Sequence, residues 1–574
     1  QTDLVQGTGT TTAESRVCRL LVVLAALVGL GLMIDTLSRG SATFDEVLYL
    51  NVAAKWWRTG VQEAITRAGT PLTFWKLQQT PMLWSLDRLG YGSWIDDPLS
   101  HEATLLPLAR ASALWIWLAA LSLTAYWSRL LYGPRAMAVA AWWFALSPNL
   151  LAHGTLVTME LPIVAAMTAT SFLFWVFLRT GDHRAFFASA AFAGLAWSCK
   201  YSAVLIPPIF AILWCLRRWR DGERGLVRTA TRVAGGLVMF MAVMAISDIV
   251  LTGGAMLAPS ERTGSHPSID GKYGPMVGGL LTRLYETPIP QDFAGFTHQF
   301  HLQTSGMTSY LFGERRENGW RYYYLVATAV KVPLLFFLVL VGRAVLDRRI
   351  KSPSSGRDWM LPVTILVFLA IASIGSVRNL GFRYLLPVAP LAIIWISGLA
   401  KGGRWSRRLV GIGLVGQALA IASIHPYELS YFNALAGGPR GGRHILADSN
   451  LDWGQGLKPL VRLQKEQPEF RDMTLYYFGA SDPTRYGFAG RYYRFRALEE
   501  VKDLPSILSP QTTYLAVSAS LQWGPYGPEG YFRNLDRLKP VRLTDDTTIA
   551  IYRTSDLKAA LNSRRLEGQT VMRR

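Results

Sequence analysis

Of the chain's 574 residues, 50% are hydrophobic and only 17% charged, yet the formal net charge is +20. No soluble core needs so much apolar sequence, and three scattered cysteines make neither a disulfide framework nor a zinc site. The basic excess lies in short loops between apolar runs, a topology signal that excludes a nucleic-acid partner as its explanation.

The first apolar run, near 18–38, carries Arg16 and Arg19 on its flank and is followed by no small-x-small cleavage site, so it reads as an uncleaved signal anchor. Further runs fall near 108–128, 136–152, 160–178, 185–200, 202–216, 233–252, 323–342, 359–377, 384–400 and 408–424. Most are about 17 to 22 residues long, enough for one helical crossing at roughly 1.5 Å per residue. With the N-terminus in the cytoplasm, the inner loops are Arg129–Arg135, Arg179–Arg184, Arg217–Arg232, Arg343–Arg357 and Lys401–Arg408, each arginine-rich. The expected fold is a polytopic α-helical membrane protein of about eleven spans. Its expected divisions are a tail (1–17), a membrane domain (18–424) and an outward domain (425–574).

Three long segments then face outward: 39–108, 252–321 and everything after Ser423. The first opens with Thr43-Phe44-Asp45-Glu46, two carboxylates at a membrane face, where acids are costly and commonly functional. Trp56-Trp57 follows and suggests interfacial helices, serving either as headgroup anchors or as a grip on a lipid. The turn 147–162 brings Glu160 to the same face, and two acids there suit a general base with an assisting or metal-binding partner. Lys200, Lys331, Arg378 and Arg383 reach that level too. Together they suit a lipid-linked phosphate, whereas each taken alone reads as snorkelling to the interface. His298 and His301, spaced i, i+3, lack a third ligand nearby and read as a surface pair.

Several motifs carry a resemblance when taken in chain order. They are Asp45-Glu46 after the first span, Leu151-Ala152-His153-Gly154-Thr155-Leu156-Val157-Thr158-Met159-Glu160, Lys200-Tyr201-Ser202 and Gly381-Phe382-Arg383-Tyr384-Leu385-Leu386-Pro387. This order resembles the polyprenyl-phosphate-dependent membrane glycosyltransferases of the GT-C fold, the protein O-mannosyltransferases and aminoarabinose transferases. His425-Pro426-Tyr427-Glu428 and Asp448-Ser449-Asn450-Leu451-Asp452-Trp453-Gly454-Gln455 are similar to a bacterial branch with a soluble C-terminal domain.

The resemblance implies sugar transfer from a polyprenyl phosphate to an acceptor hydroxyl at the outer, periplasmic face of a bacterial inner (plasma) membrane. Asp45 is the implied general base, Glu46 the second acid, and Glu160 stands where relatives usually have aspartate. Lys200, Arg383, Arg378 and Lys331 are the expected phosphate-binding residues; His153, Tyr201, Asp452, Trp453 and Gln455 are the expected acceptor or sugar contacts. Gln79-Thr80-Pro81 replaces the His-Pro-Pro of many relatives. No cofactor is therefore assigned, with a divalent magnesium or manganese on Glu46, Glu160 and His153 as the residual possibility. Sugar and acceptor stay open, the latter among proteins, glycolipids and polysaccharides.

From about 440, β-rich runs alternate with amphipathic stretches: 444–448, 456–466, 474–479, 513–518, 531–538 and 548–552. This predicts a small α/β domain with an open parallel sheet, whose strand-end loops (448–455, 480–483, 518–524) form a crevice or else pack the domain onto the membrane part. A transporter or non-catalytic scaffold of lipid-linked sugars shares the span count. Internal repeats and mid-span acids, which a transporter needs, are not seen.

Overall fold

A computed structural model describes residues 12–61, 69–223, 225–257, 287–304, 308–347, 358–375, 378–495, 511–526 and 531–559. Among them six helical stretches are long and apolar enough to cross a membrane: Thr12–Thr36, Glu102–Tyr132, Glu160–Thr180, Tyr201–Arg220, Val227–Thr252 and Phe382–Lys401. A seventh is Tyr323–Lys331 joined to Leu334–Leu346, bent by 108°. Pro333 lacks the N–H that would continue the helix and drives Val332 into extended backbone, which accounts for the break. The remaining expected runs are helical as Pro134–Ala145, His183–Trp197, Met360–Gly375 and Arg404–Ala422. Three of these are short and the fourth starts with arginines, so among the described residues length and composition alone identify six or seven of the eleven expected spans. The chain is a multi-pass helical membrane protein.

Glu160–Thr180 packs on His183–Trp197, and Pro134–Ala145 lies between Leu114–Tyr132 and the first helix. Tryptophans and small residues alternate at these seams. A Cβ on Gly29 would stand 2.3 Å from Trp117, so only glycine admits that ring. The first outer segment folds into short helices (Phe44–Thr59, Leu72–Gln78, Thr80–Arg88, Gly92–Asp96) around a core of Leu50, Phe74, Trp75, Leu83 and Leu106. Trp84, Leu89 and Tyr91 stay exposed, as an interfacial helix requires. Trp57 is half-buried, its indole N–H on Asp87 at 2.5 Å.

Four short strands pair antiparallel, β1 (Met256–Leu257) with β2 (Ile289–Pro290), and β3 (Ser309–Leu311) with β4 (Glu314–Arg316) as a hairpin. The C-terminal region forms a five-stranded sheet of β5 (Met473–Tyr477), β6 (Arg491–Arg494), β7 (Tyr514–Ser518), β8 (Arg542–Leu543) and β9 (Ile549–Arg553) in the order β6-β5-β7-β9-β8. Side chains alternate along β5. Met473, Leu475 and Tyr477 pack with Leu457, Leu460 and Val461 of the helix Leu457–Glu466, while Tyr476 and Phe478 meet Val517, Phe532 and Leu535 on the other face.

Two expectations need correction here. The sheet is mixed, with β5 parallel to β6 and β7 but β9 antiparallel to β7 and β8. The run 444–448 is no strand: Asp448 sits at φ +57° and its N–H goes to Ser520 Oγ at 3.1 Å, so it opens a 3-10 turn, Asp448–Asn450. The following loop docks on the membrane part through Phe44 N–H to the Trp453 carbonyl (2.7 Å), Ser41 N–H to the Gln455 carbonyl (3.0 Å) and Phe382 N–H to Asn450 Oδ1 (2.9 Å).

Candidate active site

Asp45 and Glu46 open the helix Phe44–Thr59, where a helix N-terminus favours carboxylates. Glu46 points inward and is fully buried. Its Oε1 accepts from Arg110 Nε and Val157 N–H, both at 2.9 Å; its Oε2 accepts from Arg110 Nη2 (2.7 Å) and the Thr43 N–H (2.9 Å). Arg110 spends its other N–H groups on the carbonyls of Leu37, Gly40 and Ser41. A carboxylate has about four acceptor positions and all are taken, so Glu46 fastens the first outer segment to the bundle instead of joining the chemistry.

Asp45 turns the other way. Its side chain is 28% exposed, and Arg383 Nη1 lies 3.5 Å from its Oδ2. The same Nη1 is 3.6 Å from Glu160 Oε1, which also holds Lys200 Nζ at 2.9 Å. The Arg383 guanidinium lies over the Trp453 ring at 4.2 Å and near Tyr384 at 5.6 Å, and Lys200 Nζ sits 4.5 Å from the Tyr384 ring. Burial pushes the Asp45 carboxyl up to about 6; Arg383 opposes this, and the charges of Asp448 and Glu160 add to it. An enclosed carboxyl that titrates near neutrality and keeps an opening is suited to take a proton.

Gly381 makes this arrangement possible. At φ +140° it lets the chain pass Ser449, whose Oγ would lie 2.6 Å from a Cβ placed there, and the 3-10 segment Phe382–Val388 follows. That segment has two faces: Arg383 and Tyr384 face the acids. Phe382, Leu385 and Leu386 line a separate apolar cavity of about 400 Å³ that also touches Phe336, Leu340, Ile365 and Leu369. This apolar cavity lies on the opposite face of the segment from the polar cluster, and the chemistry belongs to the cluster.

Of the expected site residues, the structure brings together Asp45, Glu160, Lys200, Arg383 and Trp453. His153 borders them, its ring 6.4 Å from that of Trp453; burial lowers its pKa to about 3, which leaves a neutral imidazole. Arg378 lies near Asp448 and helps to hold its charge. Others stand elsewhere. Lys331 Nζ is spent on the carbonyls of Leu429 (3.0 Å) and Asn450 (2.6 Å), so it supports the docking loop and is not available for a phosphate. Tyr201 packs against Trp197 and Phe296, on the side of Asp248 and Asp292. Asp452 accepts from the Gly454 and Ser520 N–H groups, and Gln455 brackets the loop through Trp453 N–H and the Leu451 carbonyl. These last two shape the loop.

Glu46, Glu160 and His153 do not assemble as ligands, because Glu46 is saturated. Among the described residues no three His, Cys, Asp or Glu side chains converge on a metal position. The helix Gln291–Thr304 carries His298 and His301, but the His301 side chain lies outside the described residues. Sequence reasoning missed Tyr384, whose ring meets Lys200 and Arg383, and Asp448, whose charge bears on Asp45. Asp448 opens the Asp-Ser-Asn-Leu-Asp motif, but an acid expected at the end of a strand gave no sign of its left-handed backbone.

A helical membrane bundle with a polar acid–cation cluster where several helices end is the class to which the motifs pointed. Residues 99–247, about a quarter of the chain, match the family model described as dolichyl-phosphate-mannose-protein mannosyltransferase, a GT-C family. No curated protein sequence matches the chain. Solved structures similar to it include ArnT from Cupriavidus metallidurans bound to undecaprenyl phosphate, at 13% identity and a TM-score of 0.46, covering 93% of this chain and 98% of that one. The apo form of the same protein gives 14% identity and a TM-score of 0.44 over the same shares. The Archaeoglobus fulgidus oligosaccharyltransferase in complex with zinc and sulfate gives 12% and 0.42, covering 88% of this chain and 68% of that one.

Proposed function

We propose that this chain is a membrane glycosyltransferase that moves a sugar from a polyprenyl-phosphate donor to an acceptor hydroxyl at the outer membrane face, with Asp45 as general base. The observation that carries the reading is the Asp45–Arg383–Glu160–Lys200 chain of contacts, in which Asp45 alone keeps more than a quarter of its side chain exposed. The acceptor oxygen attacks the anomeric carbon as its proton passes to Asp45. The bond from that carbon to the phosphate oxygen breaks, and polyprenyl phosphate leaves with the electron pair. Arg383 and Lys200 stabilise the departing phosphate, held in place by Glu160 and by the rings of Trp453 and Tyr384. A single in-line displacement inverts the anomeric centre.

The family match over 99–247 supports the reaction class, and the arginine-rich loops support an outer location for the site. Asp45→Asn keeps the size and removes the basicity. Turnover should fall by about a hundredfold or more while donor binding persists, and near-normal turnover would remove Asp45 from this role. A transporter or scaffold would release no polyprenyl phosphate from labelled donor, which separates those readings from this one.

A further inference from the structure

Two adjacent parallel strands, β5 and β7, end side by side, and the segments leaving their carboxyl ends bring Phe478 and Tyr526 into a stacked pair with centroids 4.4 Å apart. Phe44, the residue before Asp45, stacks on Phe478 at 5.6 Å, and Phe495 closes the edge at 5.7 Å from Phe478 and 5.4 Å from Tyr526. Against this wall stands Asp448, 7% exposed, accepting the Tyr526 hydroxyl on Oδ2 and the Ser449 N–H on Oδ1 at 2.5 Å. Its φ of +57° is left-handed, a region Asp and Asn adopt more readily than most residues. Asp448 and Tyr526 both lie close enough to feel the charges of Asp45 and Arg383.

We propose that Asp448 and Tyr526, with the half-buried rings of Phe44 and Phe495 backed by the buried Phe478, form the subsite for the sugar ring of the donor, so that the C-terminal region reads the sugar. This rests on the donor reading above. A sugar presents a C–H face that stacks on aromatic rings and a rim of hydroxyls that donate to a carboxylate; the half-buried Phe44, Phe495 and Tyr526 around the buried Phe478 match the first and Asp448 the second. Asp448 uses about two of its four acceptor positions within the protein and keeps the rest for a ligand. The anomeric carbon has to lie within reach of both Asp45 and the cations. Its ring therefore rests on the groups bordering both, Phe44–Phe478 beside Asp45 and Asp448 beside Arg383. An acceptor subsite would have no need of the arginine that serves the donor phosphate.

The test compares full-length wild type, Asp448→Asn, Tyr526→Phe and Phe495→Ala for binding of undecaprenyl phosphate and of undecaprenyl phosphate carrying mannose, glucose or galactose. Asparagine tolerates the left-handed backbone, so Asp448→Asn keeps the turn. Wild type should bind at least one sugar-bearing lipid about tenfold more tightly than the bare phosphate, and each variant should lose most of that increment while binding undecaprenyl phosphate as before. Equal weakening for both lipids would show a merely structural role and overturn the subsite. Unchanged donor binding with only the acceptor KM raised would assign the wall to the acceptor, and no sugar increment in wild type would also overturn it. If wild type fails to bind undecaprenyl phosphate at all, the donor reading falls first and the subsite with it.

Discussion

Asp45 and Glu46 are adjacent in sequence and opposite in fate, because successive helical positions point about 100° apart. Glu46 and Arg110 are a buried, fully hydrogen-bonded pair, and removing one partner strands the other charge. Glu46→Ala should cost about 3–5 kcal/mol, read as loss of folded protein in detergent; recovery of folded protein at wild-type yield with reduced turnover would instead place Glu46 in the chemistry. For Asp45 the signature is pH. Its folded pKa of about 6 lies above the ordinary 3.8, so the proton is held more tightly in the folded state. The stability this gives is full below pH 3.8 and is lost as pH rises through 6, leaving an ionised, poorly solvated base above that. Log kcat/KM should therefore fall with unit slope below pH about 6. A donor phosphodiester adds a negative charge beside Arg383, so the limb in kcat should lie at higher pH than the limb in kcat/KM. A limb near pH 4 in both would mean that Asp45 is solvated, contrary to this account.

Among the elements, the 3-10 segment Phe382–Val388 carries the site, and Gly381 sets its course. Gly381→Ala puts a Cβ 2.6 Å from Ser449 Oγ at an unfavourable φ, at a cost of about 1–3 kcal/mol. It should lower turnover by more than about tenfold through displacement of Arg383, with the variant still inserted; wild-type rates would show that this turn does not set the arginine. Elements were legible in proportion to how much their pattern depends on local sequence. Among the described residues, each apolar run is mainly helical, since a lipid-facing backbone must satisfy itself. The bend at Val332-Pro333 was signalled by proline and went unread because the hydropathy continued through it. In the sheet, β5, β7 and β9 stood out as β-branched and aromatic runs, whereas β6, Arg491-Tyr492-Tyr493-Arg494, is an exposed edge and looks like a loop.

At the scale of the whole molecule, the site is assembled from positions far apart in sequence, with Asp45, Glu160, Lys200, Arg383 and Trp453 drawn from five segments. Sequence order and outward topology gathered most of these. They could not separate cations that face the acids from Lys331, which two backbone carbonyls retain, nor show that the C-terminal loop packs its Asp452 inward and its Asp448 toward the site. The outward placement of residues 425–574 is itself testable. A cysteine replacing the exposed Lys465 should react with a membrane-impermeant reagent in cells whose outer barrier is permeabilised, and labelling only after lysis would invert the topology. The most direct measurement of the central claim is release of undecaprenyl phosphate from radiolabelled undecaprenyl-phosphate sugar by purified enzyme supplied with envelope extract as acceptor. The account predicts transfer of label into extract and stoichiometric release of the lipid by wild type, reduced about a hundredfold or more in Asp45→Asn. Equal release by the two proteins, or none by wild type, would contradict it.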